Sequence, residues 1–104
     1  MFSYLYKLQK GVPIRCKDVA EWHDAFLMRD NIIKIDEIVI YGNYVRVVTA
    51  FTGIDHGDGR LFQTYIIGGL FNEKFRRCHT IAQACAQHDE IVDIIVEEYH
   101  ALKN

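Results

Sequence analysis

The sequence predicts an α+β fold: an antiparallel β-meander of about four to five strands with two helices packed on one face. Three observations carry this. Apolar residues recur at three- and four-residue steps in two segments, near 18–30 and 80–102, and at every second residue in the runs around them. The connections between the alternating runs are short and carry glycine, which favours sequential antiparallel pairing. Each helical segment opens with a capping-box spacing. The 104 residues hold one proline, no low-complexity tract and no internal repeat, so a single domain over 1–104 is expected. Half of the residues are hydrophobic, and a chain of this length buries roughly 65% of its unfolded surface, so a core forms without staples.

The elements follow in order. Tyr4 to Leu8 alternates as a short strand, Lys10-Gly11 turns the chain, and Pro13 keeps the next extended stretch out of a sheet interior. Asp18 and Glu21 form the first capping box, and Val19, Trp22, His23, Phe26 and Leu27 make one buried face before Asp30-Asn31 ends the helix. Ile33 to Ile40 is a strand, and Gly42-Asn43 reads as a type II′ hairpin turn, with glycine at the positive φ. In the return strand Val45, Val47, Thr49 and Phe51 share one face, with Arg46, Val48, Ala50 and Thr52 on the other. A loop over 53–60, a strand over 61–67 and a short strand over 75–79 complete the meander. Thr80 and Gln83 cap the last helix, whose stripe is Ile81, Ala84, Cys85, His88, Ile91, Val92, Ile95 and Tyr99, with Leu102 beyond. The aromatic residues Trp22, Phe26, Phe51, Phe62, Phe71 and Phe75 fall at element interiors and are expected in the core.

Composition excludes several classes of function. Net charge is −2 with a pI near 6.2, which gives no footprint for nucleic acid. The best candidates for a local basic patch are Lys74, Arg76 and Arg77, although so weakly basic a cluster is more often a solvated surface. Cys16, Cys78 and Cys85 are odd in number and widely spaced, against a disulfide framework or paired zinc ligands. They suit a reducing cytosol, with Cys85 a small core residue and Cys16 and Cys78 open to reaction. No run approaches the ~18 apolar residues of a membrane span. The opening MFSYLYKLQK lacks the features of a signal peptide, so a soluble, cytoplasmic protein is expected.

The segment 47–69 holds the candidate site. Two β-rich runs flank a loop that gathers Asp55, His56, Asp58 and Arg60 among Gly53, Gly57 and Gly59. The glycine amides with Arg60 suit a nest for phosphate or carboxylate, although neither GxGxxG nor a Walker A pattern is present. His88 faces the sheet and is expected to meet His56 at one end of the core. Asp55, His56 and His88 then offer three chemistries: satisfied core polar groups, a divalent-metal site, or a general base oriented by a carboxylate. No HxH or HExxH spacing favours the last two, and no cofactor is expected. Val48, Ala50, Tyr65 and Ile67 leave the second sheet face apolar, and the last helix is long for so small a sheet. Both point to a homodimer.

One resemblance adds to this. Tyr6, Leu8, Gly11 and Pro13 open the pattern and Trp22 follows. The Thr-x-Phe-x-Gly-Ile-Asp-His block runs from Thr49 to His56. Leu61-Phe62-x-Thr64, Gly68-Gly69, Arg77, Thr80, Ala84 and His88 complete it. From about Tyr6 to Val96 the chain resembles a family of small uncharacterised bacteriophage proteins, also carried by prophages. It departs from the family at Gln63, where glutamate is usual, at Gln87, where glycine is usual, and at Cys78, where tyrosine is usual. The family carries no activity to transfer. The resemblance implies a phage protein in the infected bacterial cytoplasm, where such proteins often block host defence, as anti-CRISPR inhibitors do. The expected function is therefore a non-enzymatic binding protein acting on a host or phage macromolecule. Its binding candidates are Asp55, His56, Asp58, Arg60, Arg76 and Arg77. The alternative is a small metal-assisted hydrolase or nucleotide-signal-binding protein built on Asp55, His56 and His88.

Overall fold

The computed structural model describes residues 4–27 and 31–103, with Phe26 and Leu27 described in backbone only. Its order is β1 (Tyr4–Gln9), β2 (Val12–Arg15), α1 (Val19–Leu27), β3 (Ile32–Ile40), β4 (Asn43–Phe51), β5 (Ile54–Asp55), β6 (Phe62–Ile67), β7 (Phe75–Cys78) and α2 (Ile81–Lys103). All strand pairs are antiparallel, and the fold is α+β as the sequence predicts.

The expected single meander divides in two. Strands β3-β4-β6-β7 form a four-stranded meander, while β2-β1-β5 form a separate three-stranded sheet. The predicted loop 53–60 contains the difference: Ile54 and Asp55 are extended and pair with Leu5 and Tyr4. As a result the two helices serve different sheets. α1 packs on β1, and α2 packs across all four strands of the larger sheet. Pro13 lies on β2, an edge strand, where its missing N–H breaks no interior ladder. The predicted end of α1 at Asp30 lies outside the described residues.

The joint between the sheets needs Gly53. Its carbonyl accepts from Tyr6 N at 2.7 Å, its φ is +71°, and a Cβ there would lie 2.2 Å from the Tyr6 carbonyl oxygen and 2.8 Å from Trp22 Nε1. Only glycine allows this approach. Trp22 reaches over the joint and donates from Nε1 to Thr52 O at 3.1 Å.

The β3–β4 turn corrects the hairpin reading. Ile40 pairs with Asn43, and Tyr41 and Gly42 both have positive φ, 47° and 78°. That is the signature of a type I′ turn centred one residue earlier than predicted. The Asn43 side chain donates to the carbonyls of Ile40 and Tyr41, which fixes the turn in that position.

The forward half of each capping box forms, while the returning Glu21 and Gln83 oxygens reach the residue before the cap, Lys17 N and His79 N. Glu21 N donates to Asp18 Oδ1 at 2.9 Å, and Gln83 N donates to Thr80 Oγ1 at 3.1 Å, while Gln83 Oε1 accepts from His79 N. α2 runs 23 residues, about 34 Å at 1.5 Å each. It buries Ala84, Gln87, His88, Ile91, Ile95 and Tyr99. Two apolar clusters lie beneath it: Val45, Val47, Ile66, Ile91, Ile95 and Tyr99 at one end, and Phe51, Leu61, Phe62, Cys78 and Ala84 at the other. Phe75 is not in the core. Its register opposite Tyr65 puts it on the sheet face away from α2, 60% exposed. Phe71, Trp22 and Cys85 are half-buried.

Candidate functional site

The 53–60 loop is folded around its own acids. Asp55 Oδ1 accepts from Gly57 N at 2.8 Å and from Gly59 N at 2.9 Å. These two amides, Gly59 first, hold the Asp55 carboxyl below its ordinary pKa. The expected nest therefore has an anion already in it, supplied by the chain. Asp58 does the same for Arg60: it accepts from Arg60 N at 3.0 Å and Nε at 2.8 Å, and these bonds lower its pKa. His79 bonds through Nε2 to the Asp58 carbonyl at 2.9 Å and ties the loop to the start of α2. His56 is exposed at the loop tip.

His88 does not join this group. It is fully buried under α2, with Nδ1 2.7 Å from Thr49 Oγ1 and Nε2 2.7 Å from Asp36 Oδ2. The chain of contacts continues from Thr49 Oγ1 to Thr64 Oγ1 at 2.5 Å. Gln87 Nε2 donates to Thr64 Oγ1 and to the Arg76 carbonyl, each at 3.0 Å. One proton arrangement satisfies every atom: Thr64 donates to Thr49, Thr49 to His88 Nδ1, and His88 Nε2–H to the Asp36 carboxylate. The register places Lys34, Thr49, Thr64 and Arg76 side by side across the four strands. A polar seam thus separates the two apolar clusters.

Hydroxyl, imidazole and carboxylate stand here in the order of a nucleophilic triad. The Thr49 hydroxyl, however, is fully buried and bonded to Thr64 as well as to His88. The geometry gives these groups each other as partners, which is how buried polar atoms are stabilised. Among the described residues no group of three or more His, Cys, Asp or Glu is placed to hold a metal ion. The sequence reading missed Asp36, Thr49 and Thr64 as partners of His88. A signal was available: Asp36 and Thr49 lie on the same sheet face as Val47, and polar residues at such positions need a buried partner.

The cysteines and basic residues are placed by the same alternation. Cys16 and Cys78 are buried, and desolvation pushes both thiols up, away from the reactive thiolate. Arg76 and Arg77 point to opposite faces and do not form one patch. Arg76 lies 3.6 Å from Glu90 of α2, while Arg77 stacks over the Phe75 ring, 5.6 Å from its centroid, on the other face.

That other face is the most distinctive surface of the molecule. Register places Ile35, Val39, Tyr44, Val48, Tyr65, Ile67 and Phe75 on it, opposite α2. Val39 is 75% exposed, Tyr44 50%, and Ile35 and Ile67 45%. Val48 and Ala50, expected on this open face, are buried. The ion pair Arg46–Glu37, 2.8 Å, sits among these residues, and the Tyr44 and Arg46 hydrogen bonds lower the Glu37 pKa.

Comparison of the chain with models of protein families, with characterised proteins and with solved structures gives no match. No helix among the described residues is long and apolar enough to cross a membrane.

Proposed function

We propose that this chain is a non-enzymatic binding protein that works as a homodimer, with the open faces of two four-stranded sheets packed together. The observation that carries the reading is that face: large apolar side chains presented on a rigid sheet, with α2, the helix packed on that sheet among the described residues, lying on its other side. A second copy is the occupant that fits. Strands of 9, 9, 6 and 4 residues, at ~3.3 Å per residue and ~4.8 Å between strands, offer about 440 Å² of flat face, so two copies approach the ~1,000 Å² of a specific interface before side-chain relief is counted. The charges also complement themselves. About a two-fold axis, Glu37 of one copy meets Arg46 of the other, so the Glu37–Arg46 ion pair becomes a paired set.

The dimer acts, in this reading, on a host or phage macromolecule in the cytoplasm of an infected bacterium, as an antagonist or modulator of a defence component. The resemblance of the Thr49–His56 block to phage proteins supports that half. The ordered loop at residues 53–60 supports recognition more than turnover, since Asp55, Asp58 and Arg60 are occupied with one another and with the loop amides.

Light scattering with the mass measured across a concentration series tests the dimer. The expected result is a dimer that becomes a folded monomer on Ile35→Lys with Phe75→Arg. A wild-type chain that stays monomeric at ~100 μM, where even micromolar interfaces are saturated, would overturn it. The target half is tested by pull-down from bacterial lysate. The same protein should be captured by wild type and lost on altering the loop through Asp55→Ala, and hydrolysis of any phosphodiester or ester that depends on His88 or His56 would refute the non-enzymatic reading.

A further inference from the structure

We infer that the cleft between α2 and the β6–β7 edge is a binding site for a small amphipathic acid, an apolar tail bearing one carboxylate. This site lies on the α2 side of the sheet, and of its lining residues Phe75 alone belongs to the open face. The cavity measures about 220 Å³. Ile66, Ile91 and Ile95 line its inner part, and Phe71 and Ile94 its sides. Two cations, Lys74 and Arg76, stand among the lining residues.

Three features define the ligand. The first is preformed shape. The turn that makes one wall is held by backbone bonds from Glu73 N to Ile66 O, Lys74 N to Phe71 O and Ile66 N to Lys74 O, so the wall exists without ligand. The second is charge. Among the described residues no ion pair involves Lys74, and Arg76 has only Glu90, 3.6 Å away with both side chains at least half exposed. Such a pair contributes little and can be exchanged for a carboxylate at the mouth. The third is size. The volume lies below the ~300–1,000 Å³ of drug-sized pockets, so the tail is short.

A peptide added as a strand to the β7 edge fits less well. The β7 edge is only four residues long, and a strand laid along it would leave the apolar cleft beneath α2 unfilled. A neutral apolar molecule would leave Lys74 and Arg76 without use.

The probe is octanoate, titrated into isotope-labelled full-length protein and followed by amide chemical shifts. Saturable shifts are expected at Lys74, Arg76, Ile91, Ile94 and Ile95. Octanol should bind about tenfold or more weakly, and Lys74→Glu should weaken octanoate by a similar factor, the change one lost charge contact produces. Ile94→Glu puts a carboxylate inside the rim at a partly exposed position, so the fold is retained and binding should be lost. Equal binding of octanol and octanoate would overturn the inference. So would shifts centred on Ile35 and Tyr65 of the open face, unaltered binding by the folded Ile94→Glu protein, or no saturable shift at millimolar octanoate.

Discussion

The two faces of the four-stranded sheet carry similar amounts of apolar side chain and meet opposite fates. Under α2 the apolar residues form two clusters, and a row of polar groups, Asp36, His88, Thr49, Thr64 and Gln87, runs between them. On the open side Ile35, Val39, Tyr44, Ile67 and Phe75 are exposed, with one ion pair among them. The difference shows what buried polarity does. Sliding α2 along the sheet would keep most apolar contacts but would break the seam and leave buried polar atoms unpaired, so the seam sets where the helix sits. The open face has no such specification. Its side chains suit any flat apolar partner, and the Glu37–Arg46 pair is the feature on which the proposed second copy rests.

The largest expected effect lies in the covered clusters. Phe62, 1% exposed and edge-on to Phe51 at 5.3 Å, should lose ~3–5 kcal/mol on Phe62→Ala, read as a lower denaturation midpoint at unchanged slope. A loss below ~1 kcal/mol would mean that this end of the core is loose. Next comes the seam. Thr49→Val leaves His88 Nδ1 without its donor and the Thr64 O–H without its acceptor, Thr64 keeping only the bond from Gln87, and should cost ~1–3 kcal/mol. Thr49→Val and Thr64→Val should be non-additive in a double-mutant cycle; strict additivity would show that the seam is not one network. Gly53→Ala, at the joint between the sheets, should cost at least the ~1–3 kcal/mol of left-handed backbone strain, with the Tyr6 carbonyl clash in addition. That loss should appear first as faster amide exchange in β1 and β5 rather than in the larger sheet.

How far the sequence could be read follows the same division. Local signals were legible. Asp18–Glu21 and Thr80–Gln83 announced both helix starts, and the α2 stripe named Ala84, His88, Ile91, Ile95 and Tyr99, all buried. Alternation gave the faces of β4. What was lost is long-range. Ile54 and Asp55 join Tyr4 and Leu5 across about fifty residues, and nothing in a two-residue strand announces its partner. His88 was placed on the right face, but its partners Thr49 and Asp36 lie 39 and 52 positions away, and the adjacent Asp55-His56 pair drew the reading instead. Phe75 was assigned to the core by residue type, whereas its register opposite Tyr65 decides its face.

On the open face the expected effect on the monomer is small. Ile35→Lys should change stability by no more than about 0.5 kcal/mol in dilute solution, because the residue is 45% exposed and supports no buried group. Concentration makes the comparison sharp. A dimer stabilises the folded state by mass action, so the wild-type melting temperature should rise with protein concentration while that of Ile35→Lys stays flat. Two parallel, flat curves would remove the distinction drawn here between the faces.

The smallest effect is local to the loop. The Gly59 and Gly57 amides lower the Asp55 pKa in the folded chain, so the carboxylate stabilises the loop. A group whose folded pKa is depressed contributes above its unfolded value, ~3.9 for aspartate, and loses that contribution as pH falls through the lower folded value. Between pH 7 and 5 Asp55 therefore stays ionised and its bonds to the two amides should hold, and below about pH 4 the Gly57 and Gly59 amide shifts should move together as the carboxylate is protonated. Asp55→Asn keeps an acceptor oxygen but removes the ionisation, so the joint movement of the two amides should shrink to what protonation of the neighbouring Asp58 causes. The seam lies outside this contact, and its core amides should keep their exchange protection while the loop opens. A shared midpoint for Gly57, Gly59 and the α2 core would show that the loop and the covered face unfold as one unit, and that the Asp55 turn is not an independent piece of structure.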